Sequence, residues 1–133
     1  EFDIDELKKE DSSNPIFYIN YAHARVNQIF IKAGKSVSDV LDASLENLDD
    51  NAKNLLFEAL ELPEILRDSY ASKQLHKIPD YLKSLAASFH KFYNENRVVG
   101  SDGEDALLKL FAVVALSIKT ALGLMGIAAK DKM

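Results

Sequence analysis

Apolar residues recur at intervals of three and four along most of the chain, and that period admits one kind of fold. The clearest stripe, Ile78, Leu82, Leu85, Phe89 and Phe92, steps by 4, 3, 4 and 3, which lines one face of a helix turning 100° per residue. Nowhere does a period of two run long enough to argue a sheet. With 133 residues the chain is one domain able to bury a real core. The expectation is an all-α bundle of five or six helices.

Punctuation residues divide it. Asn14 can cap a first helix that Pro15 begins and Gly34 stops, giving Asn14 to Ala33. Val37, Val40, Leu41, Ser44, Leu45 and Leu48 keep helical spacing, so Ser36 to Leu48 reads as a helix despite its β-branched and Ser content. Asp49 or Asp50 caps a third, to about Leu60, with Leu55, Leu56, Ala59 and Leu60 inward. Pro63 starts a fourth to about Ser72, using Leu66 and Tyr70, and Pro79 a fifth to about Asn94, with Tyr81 and Tyr93 flanking its stripe. After a Gly-Ser-Asp-Gly loop the last helix spans about Glu104 to Leu124. Leu107, Phe111, Val114 and Ile118 line one of its faces, and Leu108, Val113 and Leu116 widen the apolar surface, so this should be the central buried helix. Residues 1–13 are acidic and read as a linker.

Several chemistries find no support. The chain has no Cys, and His23, His76 and His90 share no metal-ligand spacing. That usage fits a reducing compartment. No Gly-rich phosphate loop occurs, since Gly123 and Gly126 read as a helix stop. No nucleophile sits in a recognisable setting, and the carboxylates fall in solvated acidic runs. His90, beside Phe89, Phe92 and Tyr93, reads as an edge histidine with its hydrogen bonds satisfied. The apolar run Ala106 to Ala129 carries Lys109 and Lys119 with helical period, a core helix and not a membrane span.

The first helix is unusual. Ile19, Ala22, Val26 and Phe30 share one side, with Ile16 and His23 at its margin, while Tyr18, Tyr21, Arg25 and Gln28 share the other. Phenols, a guanidinium and an amide stand where carboxylates and lysines are usual. Such a face suits unpaired nucleic acid, because phenol rings stack on bases and Arg stacks or grips phosphate. The alternative is that both tyrosines pack on a neighbouring helix, or dock a protein partner. Net charge is −5, yet residues 15–36 hold three bases and no acid, and the acids gather at 1–14 and 37–68. A compact loop touching one face is compatible with that distribution; a long duplex gripped over many phosphates is not.

Three blocks then carry a resemblance. Asn14-Pro15-Ile16-Phe17-Tyr18-Ile19-Asn20-Tyr21-Ala22-His23-Ala24-Arg25, the run from Pro79 to Ala86 with Phe89 to Asn94, and Ala121 to Ile127 with the closing Met133 resemble, in order and spacing, the C-terminal anticodon-binding domain of arginyl-tRNA synthetases. Phe2-Asp3-Ile4-Asp5 resembles the segment joining that domain to the catalytic one. Ala129 and Lys132 depart from the Pro and Arg common there, and residues 34–51 match no motif of the family.

The resemblance implies an all-helical domain over residues 14–133 that receives the anticodon loop of tRNA for arginine. It assigns Tyr18, Tyr21 and Arg25 to the helix facing that loop and places Tyr93 and Met133 near it, and Gln28 continues the same face. Met133 is expected to be the natural end of the parent chain. The family's catalytic domain, marked by His-Ile-Gly-His and Lys-Met-Ser-Lys-Ser signatures missing here, joins arginine to tRNA with ATP. No catalytic residue, metal or cofactor is therefore expected in this stretch. Its expected partners are the tRNA and the catalytic domain of the same chain, and its expected setting is a cytoplasmic monomer without a membrane.

Overall fold

Asn14 opens the first helix as its side chain predicts: its Oδ1 accepts from the amide of Ile16 at 2.9 Å, and Pro15, lacking an amide, follows. The structure, a computed structural model, describes residues 14–133, and the linker expected over 1–13 lies outside the described residues. Six helices occur among them: α1 Pro15–Ala33, α2 Val37–Val40, α3 Asp50–Ala59, α4 Leu62–Ser72, α5 Lys77–Glu95 and α6 Glu104–Leu124. No strand occurs among the described residues.

Most boundaries follow from local chemistry. Gly34 ends α1 in the left-handed region (φ 69°), which a Cβ disfavours, and its amide returns to Ile31 O. Asp49 caps α3 by accepting from Ala52 N at 2.8 Å. Gly126 (φ 76°) releases the chain after α6, with the amide of Ile127 reaching back to Leu122 O at 2.9 Å. α4 and α5 begin one and two residues before their prolines, so that Pro63 and Pro79 sit within the first turn instead of opening it.

The helix expected over Ser36 to Leu48 is shorter. Only Val37–Val40 is helical, and the rest to Leu48 is loop and turn. The Asp39 carboxylate accepts from Ser36 N at 2.8 Å and starts the turn, but Val40 and Leu48 are the only residues of the segment that are buried. The carbonyls of Leu41 and Ala43 then accept from Lys109 Nζ on α6, at 2.8 and 2.9 Å. A lysine from a remote helix thus satisfies carbonyls that a continuing helix would have paired internally.

The core is continuous. α6 packs against α1, α2, α3 and α5, and α4 leans on α5. By length and composition alone α6 could cross a bilayer, but Leu108, Phe111, Val114 and Ile118 are wholly buried inside the bundle. At its centre Phe89 meets Phe111 edge-on, with centroids 5.0 Å apart. Tyr81 is also buried, and its hydroxyl donates to the carbonyls closing α3, Glu58 O at 2.7 Å and Ala59 O at 2.8 Å. Burial holds that phenol's pKa far above its ordinary range.

Several apolar residues read as inward are not buried. Leu60 follows the last turn of α3 and Tyr70 lies on the far side of α4, both largely exposed, and Leu56 is only half-buried. Leu116 and Leu41 are exposed as well and, with Val37 and Ile31, border an apolar cleft of about 560 Å³ between α1, α2 and α6.

Candidate nucleic-acid interface

Three stripes divide α1. Ile19, Ala22 and Val26 enter the core, at 0, 0 and 3 % exposure. Tyr18, Tyr21, Arg25 and Gln28 form a second stripe that looks outward beside α5. Asn20, His23 and Asn27, at i, i+3 and i+7, form a third.

On the second stripe Tyr21 is 41 % exposed and Tyr18 is half-buried. Both rings bear on His90 of α5: the Tyr18 centroid lies 5.3 Å away at a tilt of 53°, and that of Tyr21 lies 5.4 Å away and nearly parallel, at 29°. One turn along, the Arg25 guanidinium stands over the Tyr93 ring, 4.8 Å from its centroid, and reaches Asn94 Oδ1 at 3.5 Å. Tyr93 in turn stacks on Phe89 and meets Phe111 edge-on. Through Tyr93 the outward aromatic face is continuous with the core.

His90 differs from the sequence reading. It is buried, and among the described residues neither ring nitrogen has a hydrogen-bond partner. Phe89, Tyr18 and Tyr21 surround it with ring carbons, which offer it nothing to bond. Burial, and then the charge of Arg25, lower its pKa to about 4, so the ring is neutral at pH 7.

The third stripe receives the end of the chain. Asn20 Oδ1 accepts from Lys130 N at 3.1 Å, His23 Nδ1 lies 2.6 Å from Lys130 O, and Asn27 Nδ2 donates to Asp131 O at 3.0 Å. Ile127 and Ala129 pack on the core edge. Residues 127–131 are thus laid against α1 by three polar side chains to which the sequence reading gave no such role. Their spacing was the available signal. It could not show that a segment more than a hundred residues away is what they bind.

Of the expected site residues, the structure gathers Tyr18, Tyr21, Arg25 and Tyr93 where α1 meets α5. Gln28 is exposed one turn beyond Arg25. Met133 is 42 % exposed, two residues past the anchored Asp131. Neither has a hydrogen bond or ring contact to the cluster. The cluster's only full charge is that of Arg25. Lys35, also counted as basic in this region, is taken up by Glu104 and Asp105 of α6, at 2.6 and 2.5 Å, which raise its pKa well above the ordinary lysine range and lower that of Glu104.

Helical packing and an outward, firmly backed aromatic face together define an all-α recognition module. The chain belongs to the DALR anticodon binding domain family, which matches residues 19–133. Among its relatives, the arginine–tRNA ligases of Campylobacter curvus and Campylobacter concisus are 85 % and 80 % identical over the whole of this chain, and the chain spans 25 % of the length of each. A crystal structure of an arginyl-tRNA synthetase from Campylobacter jejuni superposes with a TM-score of 0.91 at 64 % identity, covering 99 % of this chain and 29 % of that one. The Thermus thermophilus arginyl-tRNA synthetase keeps the fold at 26 % identity, with a TM-score of 0.73 over 96 % of this chain and 22 % of that one.

Proposed function

We propose that this chain is the anticodon-reading domain of an arginine–tRNA ligase and receives the anticodon loop of tRNA for arginine. The observation that carries this reading is the convergence of Tyr18, Tyr21, Arg25 and Tyr93 on one surface, backed by core aromatics. Loop bases splay from their stack and lie against the phenols, and Arg25 stacks or meets a phosphate from its place over Tyr93. Gln28 extends the face with an amide that can both donate and accept. Met133 closes it from the anchored segment, its thioether resting on a base.

Residues 14–133 form the domain in this reading, and 1–13 join it to the catalytic part of the same chain. That part attaches arginine to the tRNA with ATP, while this domain contributes position and selectivity and takes no cofactor or metal of its own. The protein works as a cytoplasmic monomer, apart from membranes.

Paired substitutions on one helix test the reading. Tyr21→Ala is expected to weaken binding of an arginine anticodon stem-loop by roughly 1–3 kcal/mol, the loss of one stacked base, and to leave urea unfolding nearly unchanged. Val26→Ala, inside the core, is expected to do the reverse, with a loss of roughly 1–3 kcal/mol in stability. A Tyr21→Ala protein that unfolds early but binds RNA normally would make the tyrosine a packing residue.

A further inference from the structure

We propose that His90 reads a base of the bound loop, with Tyr21 as the cover that moves aside to let the base reach it. The inference rests on the RNA reading above and adds a residue and a motion to it.

A neutral imidazole carries one donor and one acceptor. A buried polar atom without a partner is disfavoured, and a histidine packed against aromatic rings without one would serve packing less well than phenylalanine of nearly the same shape. His90 is in that position, with both nitrogens buried and, among the described residues, unpartnered. Its place is not remote from the candidate interface, for it forms the floor beneath the two tyrosines, about 5 Å below each ring. Of these two covers Tyr21 is the more exposed, and among the described residues no hydrogen bond of its own fixes it. Rotation about its χ1, which takes this near-parallel ring off His90, is the motion that opens a path to the imidazole in this proposal. An incoming base can then pair its edge with the freed nitrogen while the phenol stacks on its face. An unpaired nucleobase suits such a site because it offers a flat face to Tyr21 and a donor–acceptor edge to His90. Burial, and then the charge of Arg25, disfavour a second proton on the ring, which keeps the acceptor available.

His90→Phe separates reading from packing, because the two roles predict opposite changes. As a reader, His90 leaves behind a variant that is as stable as the parent or more so in urea, since two unpartnered atoms are gone. That variant binds the arginine anticodon stem-loop about 3- to 10-fold more weakly. Against stem-loops made abasic at one loop position at a time, the parent and variant should bind equally at the position His90 reads. His90→Gln, which keeps a donor and an acceptor, should recover part of the affinity. Independently of any variant, the imidazole ¹⁵N resonances of His90 should shift on saturation with the stem-loop, as a ring nitrogen gains a hydrogen bond. Unchanged affinity in His90→Phe, or unmoved ¹⁵N resonances at saturation, would overturn the proposal. Failure of the parent chain to bind any arginine stem-loop would overturn the RNA reading itself, which is a distinguishable result.

Discussion

Exposure sorts the side chains of α1 by the work each can do. Ile19 and Val26 hold the bundle together, whereas Tyr21 reaches water from the same helix. His90 belongs to neither group, and its burial has a consequence in acid. Its folded pKa lies at about 4, below the ordinary histidine value of 6.5, so between those values the unfolded chain binds the proton and the folded chain does not. Stability should therefore fall as pH drops from about 6.5 toward 4. Glu104, whose pKa is lowered by Lys35, also loses its contribution in acid, so the parent's curve alone is not diagnostic. Urea unfolding of parent and His90→Phe at pH 7, 5.5 and 4.5 isolates the histidine: the variant should gain relative to the parent as pH falls. Parallel curves would show that the ring is solvated. Asn14 and Gly34 were legible in the sequence because their roles are local to a few residues of backbone. The unsatisfied state of His90 was not, because α1 has to pack on α5 before the tyrosines cover it.

Among the elements, α5 and α6 matched their sequence patterns because a long stripe at one period leaves little freedom. The segment from Ser36 to Leu48 has the same spacing over fewer turns. There the outcome turned on Lys109, a remote side chain whose bonds to Leu41 O and Ala43 O no local pattern records. The end of the chain is the opposite case. It reads as a short charged segment, yet Asn20, His23 and Asn27 bind its backbone at defined positions. That attachment leaves Lys132 and Met133 immediately beyond the anchored Asp131. A protein ending at Ile127 should bind the arginine stem-loop more weakly, with a shallower dependence on salt, because Lys132 leaves with the segment. Titrations at two salt concentrations measure both quantities. Equal affinity and equal slope would remove residues 128–133 from the interface.

At the scale of the whole molecule, charge and shape set what can be bound. The acids between residues 37 and 68 belong to α2, α3, α4 and their connections, while α1 and α5 together carry the aromatic face. Of the three bases in residues 15–36, Lys35 is neutralised by α6, which leaves Arg25 and Lys32 on α1, and base contacts have to supply much of the affinity. The salt slope should then be no steeper than about −3, equivalent to roughly four phosphates on single-stranded RNA. The helical class, the core stripes and the tyrosine face were all readable from spacing. The packing of α1 on α5 and the attachment of residues 127–131 to Asn20, His23 and Asn27 required the tertiary fold. The most direct measurement is a gel-shift titration of the chain with anticodon stem-loops of arginine and non-arginine tRNAs on a common stem. Clear preference for the arginine loop, lost when its bases are made abasic, is the predicted result. Equal binding to every loop, or binding indifferent to the bases, would contradict the account.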